Sequence, residues 1–442
     1  MNLLSCFIEN PAVERFNRKH VLSASSVTEE ALVLCTSFMQ NRRPMVVVKA
    51  NLYSAQQLYE RCRTLLPDGD CVLFSLEESL RVEAIAVSPE SVAARVETLA
   101  SLLMDPNRIV ITHVAGMIRH LPKVSLFVDS CLHLETGMDY QMDELRRKLI
   151  QSGYQQVSHV DHPLTFAMRG GIIDVWSINH DDPIRVEFFD TEIDSIRFFD
   201  VSTQKTKEHV DEIDCICASD VLFSDQDIET IIEETTKLME KHPDVDGEVE
   251  IDLEYITNHV SERRLYVYYA YLKDCGCLLD YVPNAELVFS DIEKLKDNHK
   301  HIFDENIAYI QEMVQEKKML PKFAVFREFQ PILDRKHSVV EFMDENISGI
   351  HTLDVAKENL PLMLSMIRQR YSDSAIYVVV NDDEFRQCIE ACVQIKQPYD
   401  LDENRDNTLH ILCGEYTEGF VAEQEKVVLV TSKELFRKSR KQ

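Results

Sequence analysis

Few residues of this 442-residue chain are spaced for chemistry. Cradling a phosphate needs backbone N–H groups brought close to the ligand, and glycine permits that approach. The chain has only 11 glycines, and neither GxxxxGKS/T nor GxGxxG occurs. The stretch after the first strand, where a phosphate loop belongs, reads LSASSVTEEALVL (22–34), with no glycine and no lysine. No nucleotide cofactor is therefore expected. A pair of acidic loops imitate calcium loops and fall short. In DLDENRDNTLHI (400–411) Arg405 stands where the turn requires glycine and Ile411 where the bidentate glutamate belongs; in DVDGEVEID (244–252) the glycine comes too early. The pairs His159/His162 and His299/His301 lack a third converging ligand. Cys215/Cys217 and Cys275/Cys277 have the spacing that puts both thiols on one strand face. Other cysteines sit in apolar runs such as ALVLC and CVLFS, the setting of reduced core thiols rather than of a disulfide framework. No Ser-His-Asp or Cys-His pair carries a local signature. The expectation is no metal and no catalytic residue.

The pattern that does carry chemistry is one face of a strand. In PIRVEFFD (183–190) Ile184, Val186 and Phe188 form an apolar face, while Arg185, Glu187 and Phe189 share the other. Arg169 reads as opening the preceding strand. Arginine and aromatic side chains are enriched among interface hot spots, and an exposed phenylalanine beside an arginine is costly without a partner. Arg169, Arg185 and Phe189 are therefore candidates for a protein-binding patch. The plainer alternative is a two-sided strand in which Phe189 caps a loop and Glu187 ties up Arg185.

The elements that must position this face follow from periodicity. PMVVVKA (44–50), CVLFS (71–75), RIVITHV (108–114) and SLFVDS (125–130) read as strands, with helices at 52–66 and 88–104 between them. Alternation of this kind predicts a parallel sheet with helices on its faces. After a helix near 139–152, residues 155–206 become strand-rich, with turn signals at 179–183 and 190–191. Helical periodicity returns at 226–241 and about 251–272, followed by the strand AELVFS (285–290) and a charged helix to about 318. A third block from about 325 holds SVVEFM, helices near 358–371 and 382–394, and the strands AIYVVV, LHILC and KVVLVTS. The fold class is α/β, a nucleotide-binding-type domain with an inserted β-rich module and a second small α/β domain behind it. The domains expected are 1–122 with 209–325, the insertion 123–208, and 326–442. RKSRKQ (437–442) reads as the start of a linker.

Charge narrows the partners. Lys and Arg total 47 against 76 Asp and Glu, a net charge of −29. Such a surface repels a phosphate backbone, so the chain is not expected to hold DNA or RNA by itself. No apolar run approaches the ~18–20 residues of a membrane span. A basic n-region is lacking before Glu9. The reading is a cytoplasmic monomer with no membrane partner.

One stretch goes further. FAMRGGIIDVWSINHDDPIRVEFFDTEIDSIRFFDVSTQKT (166–206) resembles the module shared by UvrB and the bacterial transcription-repair coupling factors, the Mfd family. That family reads roughly F-x-x-R-G-G, then D-I/V-F/W, then P-x-R-I/V-E-F/L-F with E-I/V-D/E-S-I/L-R and a T-Q-R/K tail; Trp176 fills the aromatic slot. ANLYSAQQLYERCRTLLP, AIAVSPESVAARVETLASLL and VVLVTSKELF resemble Mfd rather than UvrB. The resemblance covers essentially the whole chain and implies the N-terminal part of a longer protein. It implies a degenerate UvrB-like nucleotide-binding domain carrying a UvrA-binding module, with a last domain particular to Mfd. The family's UvrA-contacting arginines and phenylalanine fall on Arg169, Arg185 and Phe189. ATP, magnesium, RNA polymerase and DNA belong, on this resemblance, to a motor and other domains outside this sequence. LSASSVTEEA replaces the phosphate loop, and Asp291 in LVFSDIE (287–293) is a relic of an acidic metal motif. UvrB's DNA-clamping hairpin has no evident counterpart. The expected role is to recruit UvrA to stalled RNA polymerase; the alternative is an ATP-dependent UvrB-like repair enzyme.

Overall fold

The computed structural model describes residues 3–85, 88–245, 247–343, 347–356, 358–404 and 406–436. Arg405 and the basic end 437–442, both singled out in the sequence, lie outside them.

The first sheet has strands in the spatial order Val21–Ala24, His337–Phe342, Glu286–Ser290, Met45–Lys49, Ile109–His113, Cys71–Leu73. Every neighbouring pair is parallel. Its central strands are buried along their whole length, as MVVVK and IVITH require when helices cover both faces. The chain returns to this sheet late. SVVEFM does not belong to the last unit: His337–Phe342 slots between Val21–Ala24 and Glu286–Ser290, hydrogen-bonding on both edges. Linear order hid this, because a parallel strand can be supplied from anywhere in the chain. SLFVDS also departs from expectation. It forms the helix Val124–Asp129, on which Phe127 is buried; a short apolar run cannot by itself separate strand from helix.

Helix Val27–Asn41 explains why the last unit stays attached. Every residue from Thr28 to Phe38 is buried, so the helix has no wet stripe. Its neighbours Pro11–Lys19 and Leu52–Leu65 share its core. That core includes Val47, Ile111 and Val288 from the first sheet, and Tyr377, Val379, Phe420 and Leu429 from the last. The helices are thus a layer packed between two sheets. The last sheet runs Ile350–Thr352, Phe420–Ala422, Val427–Thr431, Ala375–Val380, Leu409–Cys413. Arg61 on helix Leu52–Leu65 pairs with Glu418 at 2.5 Å, with both side chains largely buried.

The inserted module leaves and rejoins the first unit through a two-stranded antiparallel neck, Leu132–Glu135 against Glu212–Cys215. Beyond the neck lies a six-stranded sheet. Its order is Thr206–Val210, Glu192–Phe199, Ile184–Phe189, Ile172–Trp176, Thr165–Arg169, Gln155–Gln156. All its pairs are antiparallel except the last. Its inner face (Phe166, Ile173, Val175, Ile184, Val186, Ile193, Ile196) shares a core with Leu145 and Leu149 of helix Met142–Gln151. The α/β class stands, with a parallel sheet and an antiparallel one in the same chain.

Candidate functional site: the outer face of the inserted sheet

Side chains directly opposite on paired strands point to the same face. The register aligns Asp174 with Arg185 and Arg185 with Arg197. The next outward row is Arg169, Ile172, Glu187 and Ser195. Beyond it Phe189 pairs with Glu192. Arg169, Arg185 and Phe189, singled out from sequence spacing, therefore stand on one face of one sheet.

A pair of tight hairpins set the far end of that face. Arg169 closes its strand rather than opening it, because the turn Gly170–Gly171 follows at once. Gly170 has φ +59°, a left-handed conformation in which a side chain is strained. Gly171 packs closely against the next strand, where a Cβ would come 3.2 Å from the Phe188 carbonyl oxygen; its own carbonyl accepts from the Phe188 N–H at 2.8 Å. This approach sets the Arg169 turn beside the Phe189–Glu192 turn, where Asp190 has φ +59°. Arg169 is exposed; its Nη2 donates to the Ser158 carbonyl at 3.2 Å and lies 2.9 Å from His159 Nδ1. Phe189 is 78 % exposed, far more than any neighbour in its strand.

Arg185 is held differently from expectation. Its Nε and Nη2 donate to the carboxylate oxygens of Asp174 at 2.7 and 2.8 Å, and Nη2 also donates to Gln204 Oε1 at 2.8 Å. The guanidinium lies 4.4 Å from the centre of the buried Phe199 ring. Hydrogen bonding to Asp174 holds Arg185 further in its charged form. Glu187 does not tie it up. That carboxylate accepts from Arg197 Nη2 at 2.5 Å and from Ser195 Oγ at 3.2 Å, and the Arg197 hydrogen bond keeps it below the usual carboxylate range. Two arginines stand directly opposite each other because each has its own acid. The fork of Arg185 is already spent inside the sheet. Asp174, Gln204 and Arg197 were missed by reading single strands. The signal was available in the hairpin turns, which fix the register that places Asp174 opposite Arg185.

The position of a phosphate loop is filled from within. Glu29 Oε2 accepts from the Ser25 N–H and Oγ, each at 2.7 Å, and Glu29 Oε1 accepts from Ser348 Oγ at 2.6 Å. Ser26 caps the same helix. A carboxylate of the chain thus occupies the helix N-terminus that would favour an anion. Nearby, Lys49 is buried and paired with Glu30 at 2.7 Å, and it donates to Ser290 Oγ at 2.8 Å. Asp291 caps the helix Ile292–Gln315 and pairs with Lys294 at 2.6 Å. Among the described residues no helix is long and apolar enough to cross a membrane.

The sequence is similar to those of known proteins. The model of the UvrB interaction domain family matches residues 132–220, from the first neck strand to Asp220. The transcription-repair-coupling factor of Bacillus subtilis (strain 168) is 25 % identical over 449 residues, covering 94 % of this chain and 38 % of its own length. The protein of the same name from Staphylococcus epidermidis (strain ATCC 12228) is 25 % identical over 469 residues, covering 97 % and 39 %. That of Staphylococcus haemolyticus is 28 % identical over 314 residues, covering 68 % and 27 %. The chain spans less than two fifths of the length of these relatives. It is similar along nearly its whole length to the transcription-repair-coupling factors, and its residues 132–220 match the UvrB interaction domain family.

Proposed function

We propose that this chain is a docking unit in transcription-coupled nucleotide excision repair, and that the outer face of its inserted sheet binds UvrA. On this reading it recruits UvrA to stalled RNA polymerase, in the cytoplasm. The carrying observation is Phe189, an apolar ring left 78 % exposed beside Arg169 on paired hairpin tips within a UvrB interaction domain. The ring supplies an anchor that buries on contact, and the arginines supply charge-assisted hydrogen bonds to acids of the partner. Contacts to RNA polymerase and DNA, and ATP-driven translocation with magnesium, are assigned to the length of the relatives that this chain does not span.

Phe189→Ala tests the reading. Truncating a hot spot costs ~2 kcal/mol or more, about thirtyfold in affinity. Because the ring is exposed, the melting temperature should not move. Calorimetric titration with UvrA showing unchanged affinity for the variant would sink the assignment.

The same reading makes the chain no enzyme and gives it no nucleotide cofactor, because Glu29 fills the anion position and Glu30 neutralises Lys49. ATP titrated into the purified chain is expected to give no saturable heat at micromolar concentrations. Saturable binding would instead favour an ATP-dependent UvrB-like enzyme.

A further inference from the structure

The segment Asp400–His410 at the edge of the last sheet holds a cluster that docking does not use. Asp400, Asp406 and His410 aim donor atoms at one another, all within 4.8 Å. His410 is fully buried on the strand Leu409–Cys413 and stacks on Tyr377, ring centres 4.9 Å apart. Its Nδ1 lies 3.0 Å from the Asp402 carbonyl oxygen and 3.3 Å from the Asp402 carboxylate. Both are acceptors only, so Nδ1 is the donor in these contacts. Nε2 of the same buried ring lies 3.0 Å from Asp406 Oδ1. Thr408 Oγ1 is 3.2 Å from Nε2 and 3.0 Å from Asp400 Oδ2, and it also bonds Asp406. Its single proton serves one of these three. Among the described residues no lysine or arginine pairs with Asp400, Asp402 or Asp406. The centre is rich in lone pairs.

We propose that this cluster is a structural site for a divalent transition ion of the zinc class, bound by His410 Nε2 and the carboxylates of Asp400 and Asp406, with water completing the shell. An imidazole with two carboxylates suits zinc, whereas calcium takes six to eight oxygens. A ring N–H donated to a backbone carbonyl is the usual way a ligating histidine is oriented. Zinc bonds of ~2.0–2.1 Å in a tetrahedron separate donors by about 3.3 Å; the Nε2–Asp406 distance of 3.0 Å is already close to that. Bound metal would tie Asp406 to the sheet edge, where Asp400 bridges the strand at His410. The cluster does not fit a calcium-loop pattern, because its ligands are the first, seventh and eleventh residues of DLDENRDNTLHI.

The test is zinc chloride titrated calorimetrically into chelator-treated protein under a non-thiol reductant. One equivalent should bind, and Asp406→Asn and Asp400→Asn should each weaken binding at least ~tenfold. Both are exposed positions, so the metal-free melting temperature should hold. Cobalt in place of zinc should show ligand-field bands without thiolate charge transfer. No saturable binding at tens of micromolar would overturn the proposal. Unchanged binding in both variants, or thiolate bands with cobalt, would assign the ion to cysteines and overturn it equally.

Discussion

Arg185→Ala is expected to lower stability and UvrA binding together, unlike Phe189→Ala. The sequence alone placed both side chains on a wet face and implied that both could be removed without harm to the fold. In the structure the Arg185 side chain is only 16 % exposed and Asp174 only 5 %. Removing the guanidinium leaves a buried carboxylate without its two charge-assisted hydrogen bonds and uncovers the Phe199 ring. Breaking a buried pair costs ~3–5 kcal/mol, and an unpaired buried polar group ~1–3. The edge of Arg185 reaches solvent and Arg197 stands opposite, so about 2–3 kcal/mol is expected. Urea unfolding measures it. Adding Asp174→Asn should recover part of the stability, because a neutral amide costs less to bury than a carboxylate, while UvrA binding stays low. A single variant as stable as the wild type would show that the Asp174 fork contributes nothing. A double variant that regains binding would show that Arg185 acts only through the fold.

Asp220→Ala is expected to be more destabilising still, by ~3–5 kcal/mol. Asp220 lies where the chain leaves the neck, and its carboxylate is 2 % exposed. It sits 3.3 Å from Arg95 Nε and 3.4 Å from Arg119 Nη2, while Glu83 lies 2.8 Å from Arg95 and 3.2 Å from Arg119. The four charges balance with almost no water. Arg119 also lies 3.8 Å from the centre of the Tyr266 ring. Deleting Asp220 leaves two buried guanidiniums on one carboxylate, which is why removing one partner costs more than the set is worth. The pH dependence has a definite sign. Burial alone would raise the Asp220 pKa, but Arg95 and Arg119 outweigh it and hold the carboxyl below its usual range. A depressed folded pKa means the contribution is complete above the unfolded value of about 3.9 and is lost as pH falls through the folded value. The gap between wild type and variant should therefore be widest near neutrality and close in strong acid. A loss under about 1 kcal/mol at neutral pH would refute this account of the cluster.

Period two, turn chemistry and charge were enough to read much of this protein from its residues alone. Alternation in PIRVEFFD put Arg185 and Phe189 together, and the turn signals at 179–183 and 190–191 marked two of the hairpins that the structure contains. These signals are local: side-chain direction in a strand and φ in a turn depend on residues a few positions apart. The lack of glycine and lysine at 22–34 is of the same kind. What tertiary structure decided depends on groups far apart in the chain. It paired Arg185 with Asp174 instead of Glu187, because cross-strand register outranks sequence proximity. It placed Glu29 against Ser348 and drew His337–Phe342 into the first sheet, each across some three hundred residues. It also buried helix Val27–Asn41 on every side, which no amphipathic pattern could announce because the second sheet that covers it arrives only after residue 350. Composition and spacing report which side chains a segment offers; only the packed chain determines which charges are left without water and must find each other.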